Sequence, residues 1–139
     1  MLIGRYDYAI DEKGRLNFPA KFREDMGKSF VVTCWLDGCL AAFPAEEWER
    51  VTGLLREKSM VKAREVQRYL YASATEASPD KQGRILIPQH LRKAACLEKD
   101  VTIIGLCSRV EIWNTQAWEA HEQQLREGPI ADAMEELDF

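Results

Sequence analysis

One passage occurs twice in this chain. Asp11-Glu12-Lys13-Gly14-Arg15-Leu16-Asn17-Phe18-Pro19, with Arg23 shortly after, returns 69 positions downstream as Asp80-Lys81-Gln82-Gly83-Arg84-Ile85-Leu86-Ile87-Pro88, followed by Arg92. Asp, Gly, both Arg and Pro fall in register. Beyond this passage the offset stretches to 70, aligning Val31 with Val101, Phe43 with Trp113 and Trp48 with Trp118. The extra residue sits just before Val101, near the turn Leu97–Asp100, where loops accept insertions. A fixed period identifies the building unit, so the fold must be two copies of one supersecondary element. A copy of about seventy residues would alone bury only roughly 60% of its unfolded surface, which is marginal. Residues 1–72 and 73–139 are therefore expected to pack as one pseudo-two-fold body, the first copy carrying a helical hairpin and the second an acidic tail.

The elements follow from local chemistry. Tyr6–Ile10 reads as a strand leading into the turn Asp11–Gly14, then a short strand Leu16–Phe18. Pro19 suits a first helical turn, the helix runs through Ala20–Met26, and Gly27 stops it. Phe30–Trp35 and Cys39–Phe43 flank Leu36-Asp37-Gly38 as a hairpin. Pro44 opens a helix from Ala45 to about Leu55, and a further helix spans about Val61 to Tyr71, with Val66, Tyr69 and Leu70 on one stripe read as core plus subunit contact. The second copy replays the order, with strands near Ala77 and at Ile85–Ile87, Val101–Leu106 and Val110–Trp113, a helix from Pro88, and a last helix capped by Asn114. Gly128-Pro129 breaks that helix, leaving Ile130–Phe139 as a short end expected to fray. The pattern predicts a mainly β protein with added helices (α+β by content), a small barrel or split sheet shared by both copies.

The repeated turn carries the chemistry. An Asp at its start can accept backbone N–H bonds and a bond from the Arg four residues on, while Gly supplies the left-handed corner. Asp11, Gly14, Asp80 and Gly83 are thus the loop-orienting residues, and Arg15 and Arg84 the aimed guanidinium groups. An arginine fork fits phosphate oxygens and the O6/N7 edge of guanine. Lys13, Lys21 and Arg23 in the first copy, and Lys81, Arg92 and Lys93 in the second, add positive charge. The alternative is that the two Asp–Arg pairs only brace tight turns.

These residues resemble a known family. Met1-Leu2-Ile3-Gly4, the paired Asp-x-x-x-Arg turns with Gly14-Arg15-Leu16-Asn17-Phe18-Pro19 and Gly83-Arg84-Ile85-Leu86-Ile87-Pro88, and Val110-Glu111-Ile112-Trp113 resemble the MraZ family over about residues 1–127. Asn17 and Phe18 depart from the smaller or aliphatic residues usual after the first Gly-Arg-Leu. The resemblance implies a swapped-hairpin, double-split β-barrel of the AbrB and MazE kind. It also implies a nucleoid-associated transcriptional regulator that assembles as a ring and binds direct repeats in double-stranded DNA upstream of the division and cell-wall gene cluster. It maps the DNA-facing surface to Asp11, Arg15, Asp80 and Arg84; Lys13, Lys81, Lys21, Arg23 and Arg92 extend it by proximity.

Charge at first argues the other way, since the net is −4. Residues 119–139 hold seven acidic residues against Arg126 alone, so the remaining body has 18 basic and 16 acidic residues. Local patches decide phosphate attraction, and the body can bind an anion. The tail is read as a solvated terminus. Cys34, Cys39, Cys96 and Cys107 lack metal-ligand spacing and read as buried reduced thiols. Trp35, Trp48, Trp113 and Trp118 read as core or interface packing, and His90 as a surface residue. No apolar run approaches the roughly 18 residues of a spanning helix, and no leader core is evident, so the protein is expected in the cytoplasm. No metal, cofactor, small-molecule substrate or catalytic constellation is expected, and enzyme activity is not predicted. The rival function is an antitoxin-like protein-binding module without specific DNA binding.

Overall fold

Strand β1 (Leu2–Ala9) begins the chain, and it does not pair within its own copy. It lies antiparallel to β7 (Asp100–Cys107) along its whole length, Leu2 opposite Cys107 and Ala9 opposite Asp100. Its counterpart in the second copy, β5 (Thr75–Ala77), lies likewise along β3 (Phe30–Cys34), with Phe30 opposite Ala77. Each copy therefore lends its first strand to the other. Hairpin β3–β4 (β4, Leu40–Pro44) and hairpin β7–β8 (β8, Val110–Asn114) meet in the middle, where Ala41 faces Glu111. The sheet order is β1-β7-β8-β4-β3-β5, which reads the same when the copies are exchanged. A separate two-stranded ribbon joins β2 (Arg15–Asn17) to β6 (Arg84–Leu86).

The computed structural model describes residues 1–58 and 60–139. Among the described residues six α-helices complete it: α1 (Ala20–Met26), α2 (Ala45–Arg56), α3 (Met60–Ser73), α4 (Gln89–Ala94), α5 (Thr115–Arg126) and α6 (Pro129–Glu136). One core serves both copies. Phe18, Phe22 and Phe30 from the first pack with Ile85, Ile87 and Leu91 from the second, all fully or almost fully buried. Phe18 and Phe30 stack with ring centroids 4.8 Å apart, and Tyr6 meets Phe22 edge-on at 5.2 Å. Helix α3 is pinned to the sheet by the buried Thr33 hydroxyl, which donates to the Leu70 carbonyl at 2.7 Å. Among the described residues no helix is long and apolar enough to cross a membrane.

Several expectations change. The helices hold more residues than the strands, so the fold is a mixed α/β arrangement around antiparallel sheet rather than mainly β. Among the described residues the sheet is open, with β1 and β5 as its edges, and no closed barrel forms. Ile130–Phe139 does not simply fray: Pro129 at the first turn seeds α6, which packs on α5. Pro19, Pro44 and Pro88 precede their helices as extended N-cap residues (ψ 129° to 155°) instead of opening the first turn. Cys39 is buried and its thiol pushed well up by desolvation, but Cys96 and Cys107 are exposed at left-handed turn positions (φ 53° and 66°). The tryptophans do pack as expected, in a Trp35–Phe43–Trp48 cluster and a Trp113–Trp118–His121 cluster.

Candidate nucleic-acid interface

The two Asp-x-x-Gly-Arg passages fold into the same closed turn. Asp11 Oδ1 accepts the backbone N–H of Lys13 (3.0 Å) and of Arg15 (2.8 Å), and Oδ2 accepts Arg15 Nε (2.6 Å). Asp80 repeats this with Gln82 N (2.9 Å), Arg84 N (2.9 Å) and Arg84 Nε (3.3 Å). Two backbone bonds close each loop, Asp11 N to Arg15 O (3.1 Å) and Gly14 N to Asp11 O (3.0 Å), then Asp80 N to Arg84 O (2.8 Å) and Gly83 N to Asp80 O (2.9 Å). Gly14 and Gly83 take φ of 88° and 77°, open to glycine without a Cβ penalty. Among the described residues, Nε is the only guanidinium nitrogen of either arginine that the protein engages. The terminal Nη atoms have no acceptor among the described residues, so each fork is oriented and still free to bind.

Both carboxyls lie below the ordinary aspartate range, chiefly because the backbone N–H of Arg15 or Arg84 donates to the charged form. A depressed folded value means the stabilisation is complete above the unfolded value of about 3.9 and is lost as pH falls through the folded midpoint. Carbon-detected NMR titration is expected to place both midpoints below that value, with the Arg15 and Arg84 amide shifts moving in step. Midpoints at or above it would mean that the turns are not closed in solution.

The ribbon assembles the two turns into one surface. Leu16 and Ile85 face each other and are buried, which turns Arg15, Asn17, Arg84 and Leu86 outward. Arg15 lies opposite Leu86 and Asn17 opposite Arg84, so the arginines sit on a diagonal. Leu86 is 59% exposed. Asn17 and Leu86 were not legible as site residues, since three-residue strands are too short to show a period; only the inward Leu16 and Ile85 betray them.

The flanking cations divide. Lys13 and Lys81 are exposed on the loops, but not at equivalent positions, for Lys81 aligns with Glu12 and Gln82 with Lys13. Lys21 is exposed on α1. Arg92 does not project outward: its Nε donates to the Ile87 carbonyl (3.0 Å) and its Nη1 to the Glu12 carbonyl (3.2 Å), against the first copy's turn. Arg23 reaches the opposite way, and a Cβ built on Gly83 would lie 2.8 Å from its Cζ. On Gly14 the obstacle would be the Ile87 carbonyl oxygen at 2.5 Å. Each turn is therefore backed by the helix arginine of the other copy, with Arg92 bonded to it and Arg23 laid against it. His90 is exposed and hydrogen-bonds the Ser73 carbonyl at 3.0 Å.

Comparison with known proteins adds an independent finding. A family model described as "MraZ protein, putative antitoxin-like" matches residues 1–68 and 70–138. A protein of Heliobacterium modesticaldum named Transcriptional regulator MraZ is 45% identical over 141 residues, covering 100% of this chain and 99% of that one. One of the same name from Lachnoclostridium phytofermentans is 45% identical over 99% of this chain and 97% of its own. A third, from Caldanaerobacter subterraneus, is 47% identical over 88% and 87%.

Proposed function

The chain belongs to the MraZ family, and from that premise we propose that it is a sequence-specific DNA-binding transcriptional regulator. The observation that carries the proposal is the pair of equivalent, Asp-oriented arginine forks set on the outer face of one ribbon. A two-stranded ribbon is narrow enough for the major groove, where an arginine fork reads guanine O6 and N7. Arg15 and Arg84 make those contacts, with Asp11, Asp80, Gly14 and Gly83 fixing their aim. Asn17 supplies a donor and an acceptor for adenine, and Leu86 an apolar contact for a thymine methyl. These two occupy equivalent positions with unlike chemistry, so the two halves of the ribbon read different bases. Lys13, Lys81, Lys21 and Arg23 neutralise phosphates, and Arg92 acts as a brace.

The finer reading follows the family. Residues 1–72 and 73–139 form two copies that exchange their first strands and act as one body. Further copies assemble into a ring, presenting ribbons to direct repeats upstream of the division and cell-wall genes. Such a protein works in the cytoplasm on the nucleoid, and its chemistry is binding, without turnover.

The test is fluorescence anisotropy of a labelled duplex from upstream of the gene, against a scrambled duplex, across a salt titration. The upstream duplex is expected to bind tighter, with log affinity falling linearly against log salt as phosphate counterions are released. Equal, feeble binding to both duplexes would overturn the proposal. It would favour a second reading, the protein-binding module, to which the matched family's antitoxin-like description and an apolar groove beside α3 both point.

A further inference from the structure

An apolar groove of about 480 Å³ lies between α2, α3 and the β3–β4 turn. Trp35, Leu36, Leu54, Leu55, Val66 and Tyr69 line it. Its floor is fixed: the Tyr69 hydroxyl donates to the Trp35 carbonyl at 2.7 Å, and Leu70 is buried beneath. Its walls remain wet, with Leu36 65% exposed and Leu54, Val66 and Tyr69 between 41% and 51%. Apolar surface gathered in a concavity, as opposed to scattered singly, marks a docking site.

A matching shape stands at the other end of the chain. Helix α6 places Ile130, Ala133, Met134 and Leu137 at helical spacing on one stripe, with Asp132, Glu135 and Glu136 off it. Within the chain α6 packs on α5, and Ile130, Met134, Leu137 and the terminal Phe139 stay exposed. Charge selects the pairing. Residues 119–139 hold seven acidic side chains against one arginine, the most acidic stretch of the sequence. Residues 56–68, which join and flank the groove helices, hold five basic side chains against Glu57 and Glu65, and Glu65 is itself paired with Arg68. Groove and helix match in apolarity, the basic side chains that flank the groove are opposite in sign to the tail, and Glu65, which lines the groove, is paired with Arg68.

We infer that the α2–α3 groove of one molecule receives the apolar stripe of α6 from a second copy of this chain. The inference rests on the self-assembly included in the proposed function, and it names the surfaces that make it. Groove and helix are different patches of one chain, so the contact is heterologous: each molecule offers both, and repetition gives a ring when the rotation closes.

The experiment is sedimentation velocity without DNA on two full-length variants. A groove variant carries Leu54→Glu with Val66→Glu, and a tail variant carries Met134→Glu with Leu137→Glu. All four side chains are at least 41% exposed, so both variants should melt within a few degrees of wild type, checked by circular dichroism. Each alone is expected to sediment as a monomer while wild type assembles. Mixed one to one, they should form a pair and stop there, because only one intact groove and one intact helix remain. Wild-type assembly by both variants would overturn this interface while leaving self-assembly standing. A mixture that stays monomeric would overturn the head-to-tail pairing, and a monomeric wild type would overturn both the inference and the ring. DNA binding is untouched by any of these outcomes.

Discussion

Replacing Arg15 and Arg84 together by alanine is expected to reduce affinity for the upstream duplex by roughly 30-fold or more, while leaving the scrambled duplex much less affected. A well-placed bidentate arginine on guanine discriminates by about 1–3 kcal/mol. Removing both forks therefore costs about 2–6 kcal/mol, at about 1.4 kcal/mol for each factor of ten. Folding should survive. The turns are held by backbone bonds and by Asp11 and Asp80 accepting main-chain N–H groups, none of which needs a guanidinium. What remains of each Asp–Arg pair is a partly exposed ion pair, a kind that contributes about 0–1 kcal/mol. Anisotropy at one fixed salt concentration, beside a thermal melt, separates the two effects. Lys13→Ala with Lys81→Ala is the control of opposite kind. It should weaken both duplexes alike and flatten the salt slope, because phosphate contacts position a protein without reading sequence. Wild-type specificity in the double-arginine variant would assign the turns to bracing alone.

The same arginines show what the sequence can and cannot make legible. The duplication and the closed turns were readable because their causes are local: an Asp reaching backbone two and four residues on, and a Gly at a left-handed corner. Hairpins β3–β4 and β7–β8 are also local and came out where their turns lie. Strand exchange is not local. Nothing in Leu2–Ala9 says that its partner is Asp100–Cys107, about a hundred residues away, and its first residues were missed because Gly4 interrupts the strand pattern. Arg92 illustrates the same limit at one side chain. Its repeat partner Arg23 is exposed, and both looked like basic neighbours of a loop; only the packing of α4 under the first turn sends Arg92 to the Glu12 and Ile87 carbonyls. The tail is solvent-exposed as expected, but its helix was missed for a different reason. Its acidity suggested a solvated end, yet Ile130, Ala133, Met134 and Leu137 carry a helical period that outweighs charge as a predictor of local structure.

Phe18→Ala is expected to give the largest loss of stability of any single core substitution considered, about 3–5 kcal/mol. Against a typical total of about 5–15 kcal/mol that is a large share. Phe18 is 2% exposed, stacks on Phe30 at 4.8 Å and meets Phe22 at 6.2 Å. Its counterpart Ile87 sits in the same core with a smaller, ring-free side chain, so Ile87→Ala removes less surface and should cost less. The cluster of Tyr6, Phe18, Phe22 and Phe30 belongs to the first copy alone. The main chain at Phe18 also belongs to the second copy's turn, since its N–H donates to the Gly83 carbonyl at 2.9 Å. A cavity there loosens both halves of the ribbon at once. Calorimetry of Phe18→Ala should therefore show one transition, lowered by about 10–20 °C for a chain of this size. A transition that splits in two would mean that the copies melt as separate domains, each with its own core. An unshifted single transition would mean that the packing of Phe18 against Phe22 and Phe30 does not hold in solution.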